Sequence, residues 1–127
     1  MLFRSEKTAN NDKLILPDEV EVYEIDGPFF FGVANKFEES MRKLNVKRPK
    51  IRIIRMRKVP FMDSTGLHNL ESLYRLSNKE DIKLVLSGVN DNIKTMLNKS
   101  GLSQKIGKEN ICSNINEALI RAEELIK

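Results

Sequence analysis

The chain contains no tryptophan, a single cysteine (Cys112) and a single histidine (His68). Without tryptophan, the core has to be assembled from aliphatic, Met and Phe side chains. One cysteine excludes an internal disulfide, and one cysteine with one histidine leaves no cluster at metal-ligand spacing. A reducing compartment suits that composition. Long apolar runs are missing as well, since nothing approaches the ~18 residues of a membrane span. The start, Met1-Leu2-Phe3-Arg4-Ser5-Glu6-Lys7, turns polar too early for the apolar stretch of a secretory signal. The polypeptide is therefore expected to be neither exported nor membrane-spanning by itself.

What is present is an ordinary globular mixture: 127 residues, 40% apolar and 31% charged. That predicts one domain with one core of modest size. The formal charge of +4 is mild, and the two Tyr and six Phe fall in apolar patterns rather than between basic residues. Nucleic acid is accordingly not an expected partner. The positive charge does cluster, with Lys47, Arg48, Lys50, Arg52, Arg55, Arg57 and Lys58 close together. Such a stretch reads either as a solvated edge or as a docking surface for anionic lipid or an acidic partner, with Arg48, Lys50, Arg57 and Lys58 as the contact residues.

Residues 1–14 read as a flexible arm or linker remnant, because Ser5 to Lys13 is polar, Asn-rich and without periodicity. The domain is expected over 15–127. Val20 to Ile25 alternates, Asp26-Gly27 supplies a turn, and Pro28 to Phe31 follows, which predicts a β-hairpin. Val33, Phe37, Met41 and Leu44 then mark an amphipathic helix. Ile51 to Met56 is a β-branched strand whose apolar run is broken by Arg52 and Arg55, so it is expected to be only partly covered.

Beyond Val59-Pro60-Phe61-Met62 and Asp63-Ser64-Thr65-Gly66, residues Leu67, Leu70, Leu73, Tyr74 and Ser77 recur at helical spacing. Lys83 to Leu86 reads as a strand and Gly88 to Asn90 as a turn. Ile93, Met96 and Leu97 mark a short helix whose left-handed C′ residue is Gly101. A short strand at Ile111-Cys112 precedes a final helix with Asn114 and Glu117 at capping-box spacing. The order ββαβαβαβα predicts an α/β fold, a mixed, mainly parallel sheet carrying about four helices.

Little in the sequence points to catalysis. Gly101 to Lys108 superficially resembles a phosphate loop, but one residue too many separates its glycines, and Glu109 stands where a Ser or Thr would bind magnesium. His68 follows Ser64 by one helical turn, yet no orienting acid or Gly-x-Ser-x-Gly elbow accompanies the pair, so a surface histidine is expected. Cys112 reads as a small core residue. Asp63-Ser64-Thr65-Gly66 has two readings: a helix cap, or a site where Ser64 accepts phosphate at the positive end of a helix dipole. Asp63 would repel such a group, and the modification would change the local charge by about −2.

The order of elements together with Asp63-Ser64-Thr65-Gly66 at a strand-to-helix turn resembles the STAS family, which comprises anti-sigma factor antagonists and the cytoplasmic domains of SulP-type anion transporters. Phe29-Phe30-Phe31-Gly32, Val59 to Leu67, Leu86-Ser87-Gly88-Val89-Asn90, Ser100-Gly101-Leu102 and Ile106 to Ile111 resemble the transporter branch. The resemblance implies a STAS-like fold and a non-catalytic regulatory module at the inner face of the cell membrane. Its interaction surface would be Asp63, Ser64, Thr65, Gly66 and Leu67. It also implies no cofactor beyond weak nucleotide binding, and as partners the transmembrane part of a parent transporter or cytoplasmic regulatory proteins. The antagonist branch implies instead a freestanding phospho-switch with Ser64 as acceptor and an anti-sigma factor kinase as partner.

Overall fold

The computed structural model describes residues 2–5, 18–26 and 49–126. Five strands form one sheet in the order β1 (Leu2–Ser5), β2 (Val20–Asp26), β3 (Ile51–Lys58), β4 (Lys83–Ser87) and β5 (Ile111–Cys112). β1 pairs antiparallel with β2, and the remaining neighbours pair in parallel. Helix α1 (Ser64–Lys79) links β3 to β4. Helices α2 (Asp91–Ser100) and α3 (Leu102–Ile106), with a 3-10 turn at Lys108–Asn110, link β4 to β5, and α4 (Ile115–Ile126) ends the chain's described part.

Side-chain alternation divides the core between the two sides of the sheet. Tyr23, Ile25, Ile54, Met56, Leu84 and Leu86 pack against Leu70 and Leu73 of α1, Ile93 and Leu97 of α2, and Leu102 and Ile106 of α3. Val20, Val22, Ile51, Ile53, Val85 and Cys112 face the opposite way, against Ala118 and Ala122 of α4. Small residues on α4 let its axis lie close to the sheet. Its start is fixed by Asn114, whose Oδ1 accepts from Glu117 N at 2.9 Å, while Glu117 Oε1 accepts from Ser113 N at 3.2 Å.

The mixed, mainly parallel α/β architecture is as the sequence predicts, and two local expectations are corrected. Leu2–Ser5 lies inside the stretch read as a flexible arm, yet its four residues pair with Val22 to Ile25 as an edge strand. The antiparallel partner seen for β2 is therefore this segment, and the predicted partner at Pro28 to Phe31 lies outside the described residues, as does the helix predicted over Val33 to Leu44. Finally, β3 is not partly covered: it lies between β2 and β4, and both of its inner arginines are buried.

Arg52 is fully buried on the α1 side, where parallel register sets it beside Glu21. Its Nη1 donates to Ser77 Oγ at 2.9 Å, and its other nitrogens lie 3.8 Å from Glu21 Oε2 and 3.9 Å from Glu80 Oε2. Burial pulls the guanidinium below its ordinary pKa, and the charges of Glu21, Tyr23 and Glu80 oppose that shift. Ser77 Oγ in turn donates a hydrogen bond to Leu73 O at 2.9 Å, which spares the helix interior a dangling hydroxyl.

Candidate functional site

The carboxyl ends of β3 and β4 bring two loops together, the place where open α/β sheets carry their functional groups. The first loop runs from Val59 to Asp63. Val59 and Met62 are buried, which leaves Pro60 and Phe61 facing outward between two anchored neighbours. Phe61 is 53% exposed, unusual for its size. The second loop is Gly88 to Asn90, and Asn90 ties the two together. Its Nδ2 donates to Val59 O and to Pro60 O, each at 3.2 Å, while its Oδ1 accepts from Ile93 N at 2.9 Å and so caps α2. Asn is suited to both tasks because its amide donates and accepts at once.

Gly88 supplies the close approach. It adopts φ +70, and a Cβ added there would stand 2.9 Å from Arg57 Cβ and 2.9 Å from Arg57 N. Both the left-handed backbone and the contact with β3 require glycine. Directly above, Arg57 Nε donates to Glu24 Oε1 at 2.6 Å, a pair at the exposed end of the sheet.

Asp63 caps α1: its Oδ1 accepts from Gly66 N at 2.7 Å, and Leu67 N reaches back to Asp63 O at 2.9 Å. The segment's two readings thus fall on different residues. Asp63 is the cap, and Ser64 is the first helical residue, with an exposed side chain that makes no hydrogen bond among the described residues. Thr65 is exposed beside it, Gly66 is buried under the turn, and Leu67 is half-buried. All five predicted residues are brought together, but Gly66 offers its N–H to Asp63 rather than to a partner.

Downstream of Ser64, a cleft of about 220 Å³ lies between α1 and the α2–α3 junction, lined by Ser64, Leu67, His68, Glu71, Ser100 and Leu102. His68 is exposed, as expected of a surface residue. Glu71 Oε2 accepts from Lys105 Nζ at 2.7 Å, and this bond, helped by Arg75 and His68, holds the Glu71 carboxyl below the usual range. Gly101, in the left-handed conformation at φ 83, turns the chain from α2 into α3 at the cleft's edge.

Among the described residues, the basic residues grouped by sequence are spread along β3. Lys50 precedes β3 whereas Arg57 and Lys58 end it, so the strand holds them roughly 26 Å apart at ~3.3 Å per residue. Arg52 and Arg55 between them are buried on opposite sides of the sheet, and Arg48 lies outside the described residues. A run of like charges in a strand alternates between faces, and here the sheet is covered on both. Lys50, Arg57 and Lys58 are each exposed, at opposite ends of the strand.

Sequence reasoning did not single out Phe61, Asn90 or Gly88. Phe61 sits in an apolar tetrapeptide that reads as core, and only the pinning of Val59 and Met62 turns it outward. No helix of the described residues is long and apolar enough to cross a membrane. Among the same residues, no group of three His, Cys, Asp or Glu side chains could hold a metal ion.

Comparison with known proteins agrees with the geometry. A model of the STAS domain family matches residues 14–118. The crystal structure of a sulfate transporter family protein from Wolinella succinogenes is 37% identical, covering 96% of this chain and 98% of that one with a TM-score of 0.81. The SulP transporter STAS domain from Vibrio cholerae is 36% identical over 94% of this chain and 93% of its own, with a TM-score of 0.79. YvdB of Bacillus subtilis, named as a sulfate transporter, is 34% identical over 98 residues, which is 77% of this chain and 18% of that protein. The chain thus spans less than a fifth of that relative's length.

Proposed function

The chain belongs to the STAS domain family, and from that premise we propose that it is a non-catalytic regulatory and interaction domain serving a SulP-type sulfate or related anion transporter at the cytoplasmic face of the membrane. The observation that carries this reading is the end-to-end likeness to a SulP transporter STAS domain, with both chains covered almost completely. The geometry supports it. An exposed aromatic, a free hydroxyl and a helix N-terminus share one rim, held in shape by Asn90, and such a surface suits contact with another protein. Partners of this rim would be the transporter's membrane part or cytoplasmic regulators.

The test is complementation. A SulP transporter lacking its own STAS domain is co-expressed with this chain, and uptake of labelled sulfate is measured. Restored uptake that is lost with Phe61→Ser, while the variant's melting temperature is unchanged, is the expected result. Uptake indifferent to the chain counts against the proposal.

A second reading is favoured by one observation, the exposed and unengaged hydroxyl of Ser64. In that reading the domain is an antagonist-like phospho-switch: phosphate on Ser64 would meet the free N–H groups of the first turn of α1 and add about two negative charges to the rim. Incubation with an anti-sigma factor kinase and ATP, followed by mass spectrometry, decides it. Ser64 recovered unmodified while a known substrate is labelled removes this reading.

A further inference from the structure

A second cleft, apart from the Asp63 rim, gathers positive charge without a counter-charge. It measures about 230 Å³ and is lined by Lys94 and Asn98 of α2, Ser103 of α3, Lys108 of the 3-10 turn and Ile111 of β5. No carboxylate lines it. Glu109, next to Lys108 in sequence, lines a neighbouring cleft and has its Oε1 3.7 Å from Arg121 Nη2. Lys105, by contrast, is satisfied by Glu71 at 2.7 Å. Among the described residues, neither Lys94 nor Lys108 meets a carboxylate.

The polar wall is arranged to donate. Ser103 is 2% exposed, and its Oγ donates to Asn98 Oδ1 at 2.7 Å. That bond occupies the amide's acceptor and leaves Asn98 Nδ2 as the group it can offer. Ser103 is itself fixed, since its carbonyl accepts from Gly107 N at 2.9 Å. Two ammonium groups and an oriented amide, drawn from α2 and the 3-10 turn, match a ligand with several acceptor oxygens and negative charge. The volume is below the ~300 Å³ at which pockets begin to enclose drug-sized ligands.

We propose that this cleft binds a small divalent oxyanion, inorganic sulfate or inorganic phosphate. The test follows amide resonances of the ¹⁵N-labelled chain during titration with sodium sulfate and, separately, sodium phosphate. Ionic strength is held constant with sodium chloride, so that general screening does not change. Saturating shifts confined to residues 94–98, 103 and 107–111 are expected, with millimolar dissociation constants, and the two arms show which oxyanion is preferred. Lys94→Gln and Lys108→Gln should each weaken binding about threefold and together about tenfold, whereas Lys105→Gln should leave it unchanged. All three lysines are exposed, so the variants keep the fold. The proposal is overturned by non-saturating shifts, by shifts scattered over the surface, by a double variant that binds as before, or by ATP binding far more tightly than either inorganic ion.

Discussion

β3 ends in two different settings, and arginines mark both. At its amino end Arg52 is sealed between Glu21, Ser77 and Glu80 under α1. At its carboxyl end Arg57 lies 36% exposed against Glu24, over Gly88 and beside the loop that presents Phe61 and Ser64. The same residue type is structural in one place and part of a rim in the other. What separates them is register and cover: the amino half of the strand runs beneath α1, while the carboxyl half emerges where the chain must turn into helices. Only the second setting is open to solvent, so substitutions in the first should cost stability, and under the proposed function substitutions at the rim should cost binding.

The sharpest way to break that contrast is Arg52→Met. Removing a buried cation leaves Glu21 and Glu80 facing each other across the vacated space, and a loss of about 3 kcal/mol or more is expected from urea unfolding. If the variant unfolds at the wild-type midpoint, the amino end of β3 is not the structural half. Gly88→Ala comes next, at about 2–3 kcal/mol, because the left-handed backbone and the approach to Arg57 are both violated. It is the exception that tests the rule, being a rim position with a structural task. Asp63→Ala should lose about 1 kcal/mol through the cap. Ser64→Ala, one residue later, should shift stability by less than about 0.5 kcal/mol. Equal losses at these two positions would place the cap on both and remove the argument for a free hydroxyl.

The smallest effect expected is that of acid on the Glu71–Lys105 pair. Because Lys105 lowers the Glu71 pKa from its ordinary 4.5, the pair contributes fully above that value and is lost as pH falls below it. A Glu71→Gln variant should therefore differ from wild type at neutral pH and converge with it in strong acid. Thermal melts at both pH values measure the difference, which is small because both groups face solvent.

Much of this molecule is legible locally. The β-branched run of Ile51 to Met56, the stripe from Ile115 to Ile126, the capping pair Asn114 and Glu117, and the left-handed Gly101 each announce their element through near neighbours in sequence. What escaped depends on distant segments. Nothing local reveals that Glu21 sits beside Arg52, since parallel register is set by the crossover and by packing, and without that partner Arg52 reads as an exposed interruption. Likewise, three successive capping residues at 63–65 do not say which one caps. The reach of Asp63 to the N–H of Gly66 does. The rim was found as a segment, but its aromatic and its clamp were not, because Phe61 and Asn90 acquire their roles only when two loops meet.

β5 contributes only two residues to the sheet, paired as Leu86↔Ile111 and Ser87↔Cys112. Edge strands are where sheets recruit strangers, since an unpaired ladder can template another chain. Here the outer ladder is too short to hold a register, and α4 departs from it within a few residues. This edge is thereby poorly suited to templating a second copy of the chain.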